Sequence, residues 1–114
     1  MITGIGCDIV EISRIKKAME NPSFVKKCFT EQEQKFLSKR RPESAAAIFA
    51  AKEAYSKALG TGFTGFFMQD IEVFHDEAGK PYIKGYNAAF SDANIMLTLS
   101  HCREYATAFV VMEK

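Results

Sequence analysis

The chain has 114 residues, 47% hydrophobic and 25% charged, with a net charge of +1. That length suits one ordinary domain spanning residues 1–114 and is too short for a catalytic unit joined to a separate binding unit. The composition is that of a folded chain rather than a disordered one, and no window approaches the roughly 18 apolar residues that would span a bilayer.

The first strand is expected over residues 2–10, where Ile5, Cys7 and Ile9 alternate with Gly4, Gly6 and Asp8. The apolar set is the natural buried face, which leaves the glycines and Asp8 on an uncrowded side. Ser13 is placed to cap a short helix to about Glu20, with Ile15, Ala18 and Met19 inward, Arg14 and Lys17 outward, and Asn21-Pro22 as its end. Thr30-Glu31-Gln32-Glu33 has the capping-box spacing and opens a second helix to about Lys39. Residues 44–59 are alanine-rich, free of glycine and proline, and stop at Gly60, so they predict the longest helix. Its apolar stripe is Ile48, Ala51, Tyr55 and Ala58/Leu59. Glu53 and Lys57 stack one turn apart on a different face.

Strands follow: residues 70–75, a turn through Asp76-Glu77-Ala78-Gly79-Lys80, and residues 81–84 as hairpin partner. Ile95, Leu97 and Leu99 alternate with Met96, Thr98 and Ser100, and residues 105–112 form an apolar run suited to a central strand. The outline is β-α-α-α-β-β-β-β, an α+β fold with its helices in one block and most strands in another.

Between Arg14 and Arg41 nine basic residues face three acids, a local excess of six positive charges in a nearly neutral chain. Such a stretch suits an acidic partner, although a solvated pair of helices accounts for it equally well. Aromatic residues are not interleaved with the basic ones, which argues against nucleic acid, and no membrane partner is expected. Cys7, Cys28 and Cys102 form neither a Cys-x-x-Cys pair nor a metal pattern and read as reduced thiols. With no basic-then-apolar leader at Met1-Ile2-Thr3-Gly4, a cytoplasmic location is expected. A domain this small leaves roughly a third of its surface exposed, so association between copies is an accessible gain in stability.

Three positions pair a polar group with a constrained backbone: Asp8 beside Gly4 and Gly6, Glu53/Lys57 ahead of Gly60-Thr61-Gly62, and Ser100-His101 at a strand end. Singly, they also read as a strand carboxylate bonded to backbone, a surface ion pair and a loop histidine. Together they suggest a hard divalent ion. Magnesium takes one or two protein carboxylates and completes its shell with water and phosphate, whereas calcium needs more ligands and zinc other atoms. A lysine one turn beyond the glutamate would sit near the same phosphate, and the Gly-Thr-Gly turn could offer backbone N–H groups to an anion.

Gly4-Ile5-Gly6-Cys7-Asp8-Ile9-Val10-Glu11 with Arg14-Ile15, and the run from Phe49-Ala50-Ala51-Lys52-Glu53 through Lys57 to Gly62, resemble the two signature segments of the holo-acyl-carrier-protein synthase group of phosphopantetheinyl transferases. Asp70-Ile71-Glu72, Gly79-Lys80-Pro81, Ser100-His101 and Tyr105-Ala106 follow in the expected order, so the likeness covers essentially the whole chain. It implies the phosphopantetheinyl transferase-like fold and transfer of the 4′-phosphopantetheine arm of coenzyme A to a serine of apo acyl carrier protein, in fatty acid biosynthesis. On this resemblance Asp8 and Glu53 bind Mg2+ and Lys57 contacts the coenzyme A phosphates, these three forming the catalytic set. The resemblance also sets His101 near the bisphosphate end of coenzyme A and Arg14 and Lys17 of the first helix against the acidic carrier, while Gly60, Thr61 and Gly62, read from their turn, and Arg41 are further expected coenzyme A contacts. The resemblance also implies a homotrimer with sites at subunit boundaries. Ile48 departs from the pattern where a basic group often serves the nucleotide, leaving Lys39, Arg40 or Arg41 as substitutes. Cys7 replaces an aliphatic or hydroxylated residue and reads as a packing change. The alternative is a non-catalytic module that binds coenzyme A or an acidic protein.

Overall fold

The computed structural model describes residues 1–86 and 93–114. Strand β1 (Ile2–Glu11) leads into three short helices, α1 (Ile12–Ala18), α2 (Pro22–Cys28) and α3 (Glu31–Leu37), and then the long α4 (Pro42–Leu59). A 3-10 turn at Met68–Asp70 precedes β2 (Ile71–His75), β3 (Pro81–Gly85), β4 (Asn94–His101) and β5 (Tyr105–Glu113). The strands form two antiparallel sheets, β1-β5-β4 and the β2-β3 hairpin. The α+β outline holds, and β5 is central as its apolar run predicts.

One inner surface organises the molecule. Ala106, Ala108, Val110 and Met112 alternate along β5 and are buried beneath α4, whose Ala50, Ala51, Ala54 and Ala58 are buried in turn. Small side chains on both layers let the helix lie close to the sheet, so dispersion contacts replace bulk.

The face of β1 is the reverse of the expected one. Ile5 and Ile9 are each 61% exposed, whereas Gly6 is buried, with Gly4, Asp8 and Val10 partly so on the same side. The period-2 alternation is right, but the glycines are the packing face. A Cβ on Gly4 would stand 2.0 Å from the Ala58 carbonyl oxygen, and one on Gly6 would stand 1.9 Å from that of Ala54. Backbone against backbone is thus the contact, and only glycine permits it. The apolar residues left outside need another cover.

The helices also differ from expectation at their ends. β1 runs to Glu11, so α1 starts at Ile12 with no side-chain cap, Ser13 falls in its first turn, and its buried residues are Ile12 and Ile15. A further helix, α2, fills residues 22–28: the Asn21 side chain accepts from Ser23 N–H at 2.9 Å and Pro22 sits at the first helical position. The capping box at Thr30 and Glu33 forms as expected, although α3 closes at Leu37. Pro42 likewise starts α4 two residues early, and Gly60 ends it in the left-handed conformation at φ 81°.

Candidate active site

α4 carries two lysines toward two different carboxylates. Lys57 reaches β1, where its Nζ donates to Asp8 Oδ1 at 3.1 Å and to the Cys7 carbonyl at 3.0 Å. The Lys57 side chain is 54% exposed and that of Asp8 15%. The second oxygen of Asp8, Oδ2, is buried with no hydrogen-bond partner. A buried carboxylate oxygen left this way carries a desolvation cost that a cation or a donor would remove.

Glu53, one turn before Lys57, shares a cleft of about 660 Å³ with Asp8 and Arg14. Partial burial raises the pKa of Glu53, the Asp8 charge raises it further, and Lys57 works in the opposite direction. Two carboxylates on one cleft, one of them with an orphaned oxygen, are a fitting donor pair for a divalent cation whose remaining positions go to water and phosphate. Among the described residues no group of three or more His, Cys, Asp or Glu side chains is placed to hold a metal ion. The far wall of this cleft is apolar, with Phe24 and Phe49.

Arg41 and His101 meet in a second cleft of about 590 Å³, which Lys39, Arg40 and Ile48 also line. Three consecutive cations therefore stand beside the uncharged Ile48. A third cleft, of about 440 Å³, is lined by Asp8 and Lys57 and also by Thr98 and Leu99, which border the Arg41–His101 cleft as well. The third cleft thus neighbours the basic one through β4. Gly60, Thr61 and Gly62 lie on the walls of none of these three clefts. They follow the C-terminal end of α4, and the Gly60 N–H is used on the Lys57 carbonyl at 3.0 Å. Lys17 is exposed on α1 near Arg14.

Two features had no counterpart in the sequence reading. His75, at the end of β2, lines the basic cleft and stacks on Phe36 with ring centroids 4.4 Å apart. Lys52 is fully buried, donating to Glu33 at 2.5 Å and to the carbonyls of Cys28 and Met68 at 2.8 and 3.0 Å. Glu33 also accepts from the Thr30 and Val73 N–H groups at 2.8 and 2.7 Å. The only signal for this hub was the glutamate of the capping box, which explains one of its bonds and none of its burial.

The sequence model of the 4′-phosphopantetheinyl transferase superfamily matches residues 4–110. A holo-[acyl-carrier-protein] synthase of Clostridium novyi is 48% identical over 99% of this chain and 88% of its own length, and one of Alkaliphilus metalliredigens is 49% identical over 95% and 96%. Among solved structures, a Bacillus anthracis holo-(acyl-carrier-protein) synthase in complex with CoA (3′,5′-ADP) superposes with a TM-score of 0.88 at 39% identity, covering 98% of this chain and 96% of the other. A Helicobacter pylori synthase in complex with coenzyme A gives 0.87 at 30% identity, covering 96% and 99%.

Proposed function

This chain belongs to the 4′-phosphopantetheinyl transferase superfamily and is an enzyme that moves the phosphopantetheine arm of coenzyme A to acyl carrier protein, and from that premise we propose how its own residues do so. Residues 1–114 act as one cytoplasmic catalytic domain serving fatty acid synthesis.

The basic cleft takes the nucleotide end of coenzyme A. Arg41 and His101 hold the bisphosphate, and Lys39 and Arg40 supply the charge that Ile48 does not. The neighbouring cleft then carries the pyrophosphate toward Asp8 and Lys57. Lys57 needs little rearrangement, since its ammonium already sits beside Asp8 on a side chain that is more than half exposed. Asp8 and Glu53 would hold Mg2+, which when bound supplies neutralisation of the pyrophosphate charge. For Gly60, Thr61 and Gly62 the support is the family resemblance alone.

The nucleophile is the carrier's serine. Its oxygen forms a bond to the phosphorus attached to the pantetheine arm, the bridging P–O bond breaks, and adenosine 3′,5′-bisphosphate leaves with that oxygen. The serine proton goes to a carboxylate of the Asp8/Glu53 pair. Arg14, on the wall of the Glu53 cleft, and the exposed Lys17 present positive charge to an acidic carrier.

The chain works as a homotrimer with its sites at the subunit boundaries. The outward face of the β1-β5-β4 sheet supports this: Ile5, Ile9, Met96 and Phe109 are 45–61% exposed there, an apolar surface that self-association would remove from water. The observation that carries the reading is the buried, partnerless Asp8 Oδ2 in a cleft shared with Glu53, with Lys57 on the other oxygen. Incubating the protein with apo carrier, coenzyme A and magnesium and weighing the carrier tests it. The expected result is a gain of one phosphopantetheine unit that a chelator abolishes. A gain that survives chelation would remove the metal from the reading.

A further inference from the structure

The basic cleft contains a residue that the account above leaves without a task. His75 ends β2 on the lining of this cleft, half-buried, its ring parallel to that of Phe36 within 3° and with centroids 4.4 Å apart. Arg40 lies over the same phenylalanine ring at 4.4 Å. Two side chains of the cleft are thus braced on one aromatic platform from α3, and the imidazole plane is fixed.

Its two nitrogens are not equivalent. Nδ1 is buried and has no hydrogen-bond partner. With nothing inside the protein for Nδ1 to bond, Nε2 is the nitrogen left to meet a ligand, and it does so as a donor when it carries the ring's proton. The surroundings keep the ring neutral: burial lowers its pKa, Arg40 lowers it further, and Asp76 alone pushes upward. What His75 offers is therefore a single oriented N–H donor rather than a charge. Beside Lys39, Arg40 and Arg41, the acceptor this arrangement suits is an anionic oxygen.

Resting on the coenzyme A reading of this cleft, we propose that His75 is a specificity-determining residue: braced by Phe36, its Nε2–H donates to the 3′-phosphate of coenzyme A, in a cleft where Ile48 offers no donor. The lysine and arginines attract the anion. His75 fixes where it sits.

Binding of coenzyme A and of dephospho-coenzyme A, which lacks only the 3′-phosphate, to wild type, His75→Phe and His75→Gln tests this. Phenylalanine preserves the stack without the donor, and the glutamine amide nitrogen has about the reach of Nε2. Removing a hydrogen bond to an anion should weaken coenzyme A binding about tenfold to a hundredfold in His75→Phe. Dephospho-coenzyme A binding should be unchanged in that variant, and His75→Gln should recover much of the loss. Each ligand serves as the other's folding control. Equal weakening of both ligands would place the histidine against the base or in a purely structural role and overturn the proposal, as would unchanged coenzyme A binding. If wild type itself bound no coenzyme A, the reading of the cleft would fall and the proposal with it.

Discussion

Lys52 and Lys57 stand five residues apart on one helix, each bonded to one carboxylate and at least one backbone carbonyl, and they do opposite work. Five residues turn an α-helix by about 140° beyond a full turn, so the two side chains leave α4 in different directions. Lys52 enters the core, where both partners of the Lys52–Glu33 pair are fully buried. Lys57 reaches the edge of β1, where its side chain remains about half in solvent. The buried pair has every neighbour in place: the Lys52 Nζ donates three times, and Glu33 receives the Thr30 and Val73 amides besides. At the open pair, one oxygen of Asp8 has no partner at all. Ion pairs of the same composition are therefore separated by satisfaction. The closed pair ties α2, α3, the 3-10 turn and β2 to α4, and the open pair waits for a ligand.

Removing the ammonium of the closed pair should have the largest effect. Lys52→Met leaves Glu33 buried without its counter-charge and should cost about 3–5 kcal/mol in urea unfolding. Burial is the larger influence on both groups, raising the Glu33 pKa and lowering that of Lys52. A loss below about 1 kcal/mol would mean that the carboxyl simply takes up a proton. Converting Glu33 to Leu as well should not restore stability, because the Thr30 and Val73 amides would then lack an acceptor.

The open pair should respond in the other currency. Lys57→Ala should cut turnover about 10²–10³-fold, by analogy with the loss of a single charge-stabilising donor, while stability changes by about 0–1 kcal/mol. A variant with wild-type turnover, or one that unfolds as readily as Lys52→Met, would erase the contrast between the two lysines.

The smallest effect belongs to Glu53. Its folded pKa lies above the ordinary 4.5, so the folded chain holds this proton more tightly than the unfolded chain. Stability from this group is fully present below about pH 4.5 and is lost as pH rises through the folded value. At neutral pH without metal, Glu53→Gln should be slightly more stable than wild type, by less than about 1 kcal/mol given the group's partial exposure. That advantage should vanish on acidification. Added magnesium should reverse the order, since only wild type gains stability from the ion. Melting curves across pH, with and without magnesium, read both signs.

Much of this was legible from sequence where a local rule decides the outcome. The capping box at Thr30, the stop at Gly60, the hairpin and the central β5 each depend on residues close together in the chain. The cleft shared by Asp8 and Glu53 became readable through the two signature segments. What was not legible depends on contacts between distant residues. Periodicity located the two faces of β1, but choosing between them requires knowing that α4 would present bare carbonyls to the glycines. Glu33 gave its helix start but not Lys52, and nothing near His75 in sequence announces Phe36 or Arg40. α2 was the avoidable omission, since Asn21-Pro22-Ser23 carries both a cap and a helix-starting proline.

The two glycines of β1 make the spacing of Asp8, Glu53 and Lys57 a consequence of missing atoms. Ala54 and Ala58, whose carbonyls meet Gly6 and Gly4, flank Glu53 and Lys57 in sequence, while Asp8 lies two residues beyond Gly6 on the same pleat. A single methyl group at either glycine would act as a wedge, lifting the last turns of the helix off the strand and opening the gap that the carboxylates must span. What those two positions supply is distance rather than chemistry, and the chain keeps its reach by having nothing there.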